Sequence, residues 1–200
     1  MATQQQSTGA ESGIVQSPEL QGTPIFKLVV AGEGGAGKTS LIRRYILNNF
    51  NSTEITVGSE FAFKEIELAE RKLALSIWDF AGENQFRVLM PVFCRGAHGA
   101  ILVFDLNRFA TFKHLRLWMD IIQSVTKDIP VILVGAKSDL NGGPSDEEIK
   151  AFCQEHKVKA YFPVSAKDGT NVSEIFIHIG MLMANAAQNG IITPAYSHRT

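Results

Sequence analysis

Eight consecutive residues constrain this chain more than any others: Gly32-Glu33-Gly34-Gly35-Ala36-Gly37-Lys38-Thr39. They fit the pattern G-x-x-x-x-G-K-[ST]. An apolar, strand-like run from Ile25 to Ala31 precedes them, and Thr39 to Leu47 has helical character. Glycines let a backbone wrap a phosphate chain with its N–H groups turned inward. A helix starting near Gly37 brings the positive end of its dipole to the same place. Lys38 is placed to contact the outer phosphates, and Thr39 offers a hydroxyl to Mg²⁺. The competing reading is a glycine-rich turn that binds nothing, and the number of fixed positions in the right context weighs against it. The pattern implies a nucleoside triphosphate site, but neither the base nor the reaction.

The rest of the chain supplies the sheet such a loop needs. Gly99 to Asp105, Val131 to Gly135 and Ala160 to Val164 are apolar runs, suited to parallel strands covered on both faces. Phe109 to Val125, Asp146 to His156 and Val172 to Ala187 read as helices between or after them, and Ser145 with Glu148 forms a capping box. Gly58 to Leu68 and Arg71 to Trp78 alternate as a hairpin pair. The expected fold is α/β: a P-loop domain with a mostly parallel six-stranded sheet, one antiparallel strand, and helices on both faces. The domain is expected over 25–187, between an N-terminal tail at 1–24 and a C-terminal tail at 188–200. The first 24 residues hold three successive glutamines and no Lys or Arg, so disorder is expected there.

Composition excludes several functions. The 19 basic and 20 acidic side chains leave a net charge of −1, which gives no field for sequence-independent nucleic-acid binding. Two cysteines, Cys94 and Cys153, are too few for a disulfide scaffold and suit a reducing compartment. The five histidines show no metal spacing.

A second motif narrows the class. Leu75-Ser-Ile-Trp-Asp79-Phe-Ala-Gly82 ends an apolar strand in an acid, the usual position for a carboxylate that holds Mg²⁺. Together with the phosphate loop it resembles the Ras superfamily of small GTPases. The stretch from Phe86 to Asp105 is especially similar to the Rab branch, and the resemblance spans Ile25 to Ala187. The resemblance implies these roles. Glu33, Gly34, Gly35, Ala36, Gly37, Lys38, Thr39 and Ser40 would hold the phosphates. Thr56, in Thr56-Val-Gly-Ser-Glu-Phe61, would ligate Mg²⁺ with Thr39 and Asp79 and sense the γ-phosphate. Gly82 would meet the terminal phosphate, and Phe50 would lie against the guanine. Ala136, Lys137 and Asp139 occupy the base-reading loop, and Ser165, Ala166 and Lys167 the last motif. Catalysis would fall to Lys38, Thr56, Gly82 and Glu83. Asp139 can accept from guanine N1–H and its exocyclic amine, whereas adenine offers an acceptor there.

Two positions depart from the family. Asn is usual where Ala136 stands, so weaker or faster-exchanging nucleotide binding is expected. Gln is usual where Glu83 stands; an ionised Glu only accepts hydrogen bonds. Two unit charges about 4 Å apart repel by roughly 4 kcal/mol at an effective dielectric of 20. Slow intrinsic hydrolysis is therefore expected, or else a pseudo-GTPase held in one nucleotide state. Another P-loop ATPase or kinase is the more distant alternative. The implied partners are effectors, exchange factors and activating proteins, read through the segments around Thr56 and Gly82. The resemblance also implies an exposed aromatic trio of Phe61, Trp78 and Phe93, for which burial in the core is the competing reading. No cysteine lies near the C-terminus and position 2 is Ala, so no lipid anchor is expected in this sequence. A monomeric, cytoplasmic protein is expected, brought to membranes through partners.

Overall fold

The computed structural model describes residues 22–48, 59–68, 71–80, 88–140 and 142–196. Strand β1 (Pro24–Ala31) leads through the glycine loop into α1 (Lys38–Leu47). Then come β2 (Ser59–Leu68), β3 (Arg71–Phe80), a short α2 (Met90–Cys94) and β4 (Gly99–Asp105). Helices α3 (Phe109–Lys113) and α4 (Leu115–Val125) precede β5 (Val131–Ala136). Then α5 (Asp146–Glu155), β6 (Ala160–Val164), α6 (Val172–Gln188) and the two-residue β7 (Ala195–Tyr196) complete the order.

The main sheet runs β2-β3-β1-β4-β5-β6, with only β2 antiparallel to its neighbour on this path. The predicted six strands and single antiparallel pair are all present. Alternation along the parallel strands sorts their side chains onto two faces. Phe26, Leu28, Val30, Ile101 and Val103 join α1 and α6 in one core. Val29, Ala31, Ala100, Leu102 and Phe104 face the other way, into a second core with α2 to α5. Both faces are covered, which is why these strands read as unbroken apolar runs.

Three details differ from the sequence reading. The single helix expected over 109–125 is two, meeting at His114, whose amide still bonds to the Ala110 carbonyl. The five-residue α2, with Pro91 in its first turn, lies where no helix was expected. The C-terminal tail is not wholly outside the fold. Ala195 and Tyr196 pair antiparallel with Ile25 and Pro24. His98 reinforces this return: Nδ1 accepts from the Lys27 amide at 2.7 Å, so Nε2 donates to the Thr193 carbonyl at 2.9 Å.

The strand order places the site. Neighbours β3 and β4 flank β1, and the chain leaves β1 toward one side before returning to the other. Open α/β sheets bind ligands at such a point, outside the carboxyl ends of the strands.

Candidate functional site: a phosphate loop beside a base-sized cleft

The loop after β1 is shaped by its glycines. Gly32 has φ 145°, and a Cβ there would lie 2.1 Å from the Val103 carbonyl oxygen on the adjacent strand. Any side chain would push β1 and β4 apart. Gly37 caps α1 with φ 103°, a conformation L residues rarely adopt. Lys38 opens the helix and is buried, and its ammonium donates to the carbonyls of Gly32 and Glu33, both at 2.9 Å. Burial lowers its pKa to about 8, with Asp79 and Glu33 opposing the shift and Arg108 adding to it.

Thr39 follows one residue on. Its hydroxyl donates to Asp79 Oδ2 at 2.5 Å. Asp79 sits near the carboxyl end of β3, level with Val30 of β1, and is 2% exposed. A hydroxyl and a carboxylate this close are hard oxygen donors, a set that suits Mg²⁺. Glu33 is turned the other way: its carboxylate accepts from Trp118 Nε1 at 3.2 Å and lies 3.5 Å from His114 Nδ1.

The segments expected from the sequence to read the base lie at the ends of β5 and β6, where Ala136 and Val164 are paired. Ser165 is fully buried, and its hydroxyl donates to Asp139 Oδ1 at 2.8 Å. Lys167 Nζ stands 3.9 Å from Asp139 Oδ2. Lys137, at φ 63°, sends its ammonium back across the sheet edge, 2.7 Å from Asp105 Oδ2 and 3.2 Å from the Gly35 carbonyl. One cleft is lined by Gly37, Ser40, Ala136, Lys137, Asp139, Ala166 and Lys167. Three stretches far apart in sequence thus meet around a single cavity beside the phosphate loop. Phe50, Thr56, Gly82 and Glu83 lie outside the described residues.

The aromatic trio is contiguous. Phe61 and Trp78 face each other across the β2–β3 pair with ring centroids 4.4 Å apart, and Trp78 lies 6.3 Å from Phe93. Phe61 is 60% exposed and the other two are half-buried, so the core reading fails for Phe61. Asp105 and Arg108 also belong to the site, and neither was expected there. The signal for Asp105 was available: like Asp79, it is an acid ending an apolar strand.

Fold and site together define a P-loop GTPase fold. The Ras family model matches residues 27–185. Similar curated proteins include Ras-related protein Rab7A of Mesembryanthemum crystallinum, 37% identical over 175 residues, covering 82% of this chain and 83% of that one. Ras-related protein RABG3f of Arabidopsis thaliana is 37% identical over 162 residues (76% and 79%). GTP-binding protein YPTC5 of Chlamydomonas reinhardtii is 38% identical over 162 residues, with the same coverage. The chain belongs to the Ras family and is a small GTPase of the Rab branch.

Proposed function

We propose that this chain is a switch that binds GTP and GDP with Mg²⁺, hydrolyses GTP slowly, and presents a different surface to partners in each state. The observation that carries this reading is the cleft where Ser40 of the first helical turn and Asp139 of the base-reading loop face one cavity. The Ser165 hydroxyl fixes one oxygen of the Asp139 carboxylate. Guanine would place N1–H and its amine against that carboxylate. Adenine would place an acceptor there, and an unmatched buried pair costs about 1–3 kcal/mol or more. The phosphates would lie along Gly34 to Thr39, against backbone N–H groups and the Lys38 ammonium. Thr39 and Asp79, with Thr56, would hold Mg²⁺; when bound, the ion would offset negative charge on the phosphate oxygens.

Hydrolysis rests on Glu83. An ionised carboxylate cannot donate, and it repels the γ-phosphate, so attack by water is slow without a partner. An activating partner would supply an arginine to the transferred phosphate. Effectors, exchange factors and activating proteins would read the segments around Thr56 and Gly82 together with Phe61, Trp78 and Phe93. Partners would recruit the protein from the cytoplasm to membranes in trafficking. Glu83 and Ala136 also favour a second reading, a pseudo-GTPase held in one state.

The test is to identify the nucleotide released on denaturation and to follow single-turnover hydrolysis. Released GTP or GDP and a rate at least about tenfold higher in Glu83→Gln are expected. Released ADP or ATP overturns the guanine reading. No turnover in either protein, even with activating partners, favours the pseudo-GTPase.

A further inference from the structure

Asp105 ends β4 with its side chain 2% exposed, next to Ala136 in the β4–β5 pairing. Oδ1 accepts from the Asn107 amide at 2.9 Å. Oδ2 accepts from Lys137 Nζ at 2.7 Å and from Arg108 Nε at 3.0 Å. Burial alone would raise its pKa, but these donors and the Lys137 charge hold the carboxyl below its ordinary value, so it stays ionised. Each cation then reaches the phosphate loop. Arg108 donates from Nη2 to the Gly34 carbonyl at 2.8 Å, and Lys137 donates to the Gly35 carbonyl at 3.2 Å. One buried carboxylate therefore sets two cations on two successive carbonyls.

Peptide geometry gives this a consequence. No described peptide bond is cis. In a trans peptide the carbonyl and the following N–H point in opposite directions. Holding the Gly34 carbonyl on the Arg108 side turns the Gly35 N–H away from it. The next N–H, that of Ala36, also points away from Lys137 and donates to the Glu33 carbonyl at 3.2 Å. Arg108 Nη2 would be 3.2 Å from a Cβ on Gly35, so the guanidinium lies along the loop rather than touching it at one atom. Ala136 ends β5 beside this cluster and brings no hydrogen-bonding side chain.

We propose that Arg108, seated on Asp105, is a positioning residue for the nucleotide: it orients the Gly34–Gly35 peptide so that its N–H faces the phosphates. The proposal rests on the nucleotide reading given above. The ligand class it serves is any nucleotide with at least a diphosphate, and its effect vanishes for the nucleoside.

The test follows dissociation of a fluorescent GDP from the wild-type chain, Arg108→Ala and Arg108→Lys, with guanosine affinity measured alongside. Arg108→Ala is expected to speed GDP dissociation roughly tenfold, the worth of one charge-assisted hydrogen bond. Arg108→Lys keeps a cation on Asp105 without the two-pronged fork and should fall between the two. Guanosine affinity is expected to stay unchanged, because no phosphate is there to feel the loop. A change under twofold in GDP dissociation overturns the proposal. So does an equal loss for GDP and guanosine, which would mark a merely structural residue. A wild-type chain that binds guanosine but not GDP, or neither, removes the nucleotide reading itself and this proposal with it.

Discussion

The phosphate loop and the β5–β6 edge that carries Asp139 and Ser165 sit side by side, yet they are built on opposite principles. The loop is made of backbone. Its shape depends on what is missing at Gly32 and Gly37, and its one large contributor, Lys38, is folded against the loop's own carbonyls. The β5–β6 edge is made of side chains that hold each other: Ser165 on Asp139, Lys167 near it, and Lys137 on Asp105. A backbone device fails when an atom is added where another strand passes close, as at Gly32. A side-chain device can lose a member and be supported from elsewhere, as at Ala136, which brings no hydrogen-bonding side chain to this edge.

Three substitutions or conditions press on that contrast. The largest effect is expected at Gly32→Ala. A Cβ 2.1 Å from the Val103 carbonyl cannot be accommodated without separating two strands, and φ 145° adds strain. A loss of about 3 kcal/mol or more would lower Tm by roughly 6–12 °C in a domain of this size, read by a thermal melt. A near-normal melt would show that the loop is not governed by backbone exclusion.

Ala136→Asn tests the other side. A position-136 side chain lies beside Gly37, with 3.5 Å between the Ala136 Cβ and a Cβ built on Gly37. An amide there can hydrogen-bond across to the loop. GDP affinity is expected to rise about tenfold in an equilibrium titration. No gain would mean that the existing side-chain links already hold the edge as well as an amide would.

The smallest effect is a pH dependence. Free Lys38 has its pKa lowered to about 8. Anionic phosphates favour the charged form and so raise that pKa on binding. Binding therefore takes up a proton above pH 8, and affinity weakens as pH rises through the free pKa. Between pH 7 and 8.7 the limit is roughly a fivefold loss. Calorimetry in buffers of different ionisation heat measures the uptake directly. Proton release, or a gain in affinity over that range, would contradict the buried-cation account.

The backbone device was legible in the sequence because glycines at fixed spacing between an apolar strand and a helix leave few alternatives. The strands were legible for a related reason: burial on both faces writes continuous apolar runs such as Gly99 to Asp105. The Ser145–Glu148 capping box is local chemistry and is present in both directions. What escaped was short or distant. Helix α2 has five residues, too few for a helical period to show. Strand β7 exists only because residues far along the chain return to Pro24. Arg108 gains its meaning from Asp105 and Gly34, and nothing in Asn107-Arg108-Phe109 announces either partner. Asp139 and Ser165 were legible as motif residues, but their mutual hydrogen bond required the β5–β6 pairing to bring them together.

The pairing of Ala195–Tyr196 with Pro24–Ile25 fixes which pole of the sheet a probe at these positions occupies. Residues 24 and 196 are neighbours at the amino end of β1, whereas the phosphate loop leaves its carboxyl end. The eight residues of β1 span roughly 25 Å at about 3.3 Å each. A fluorophore placed on the exposed Tyr196 side chain would thus sit at the pole away from the phosphate loop.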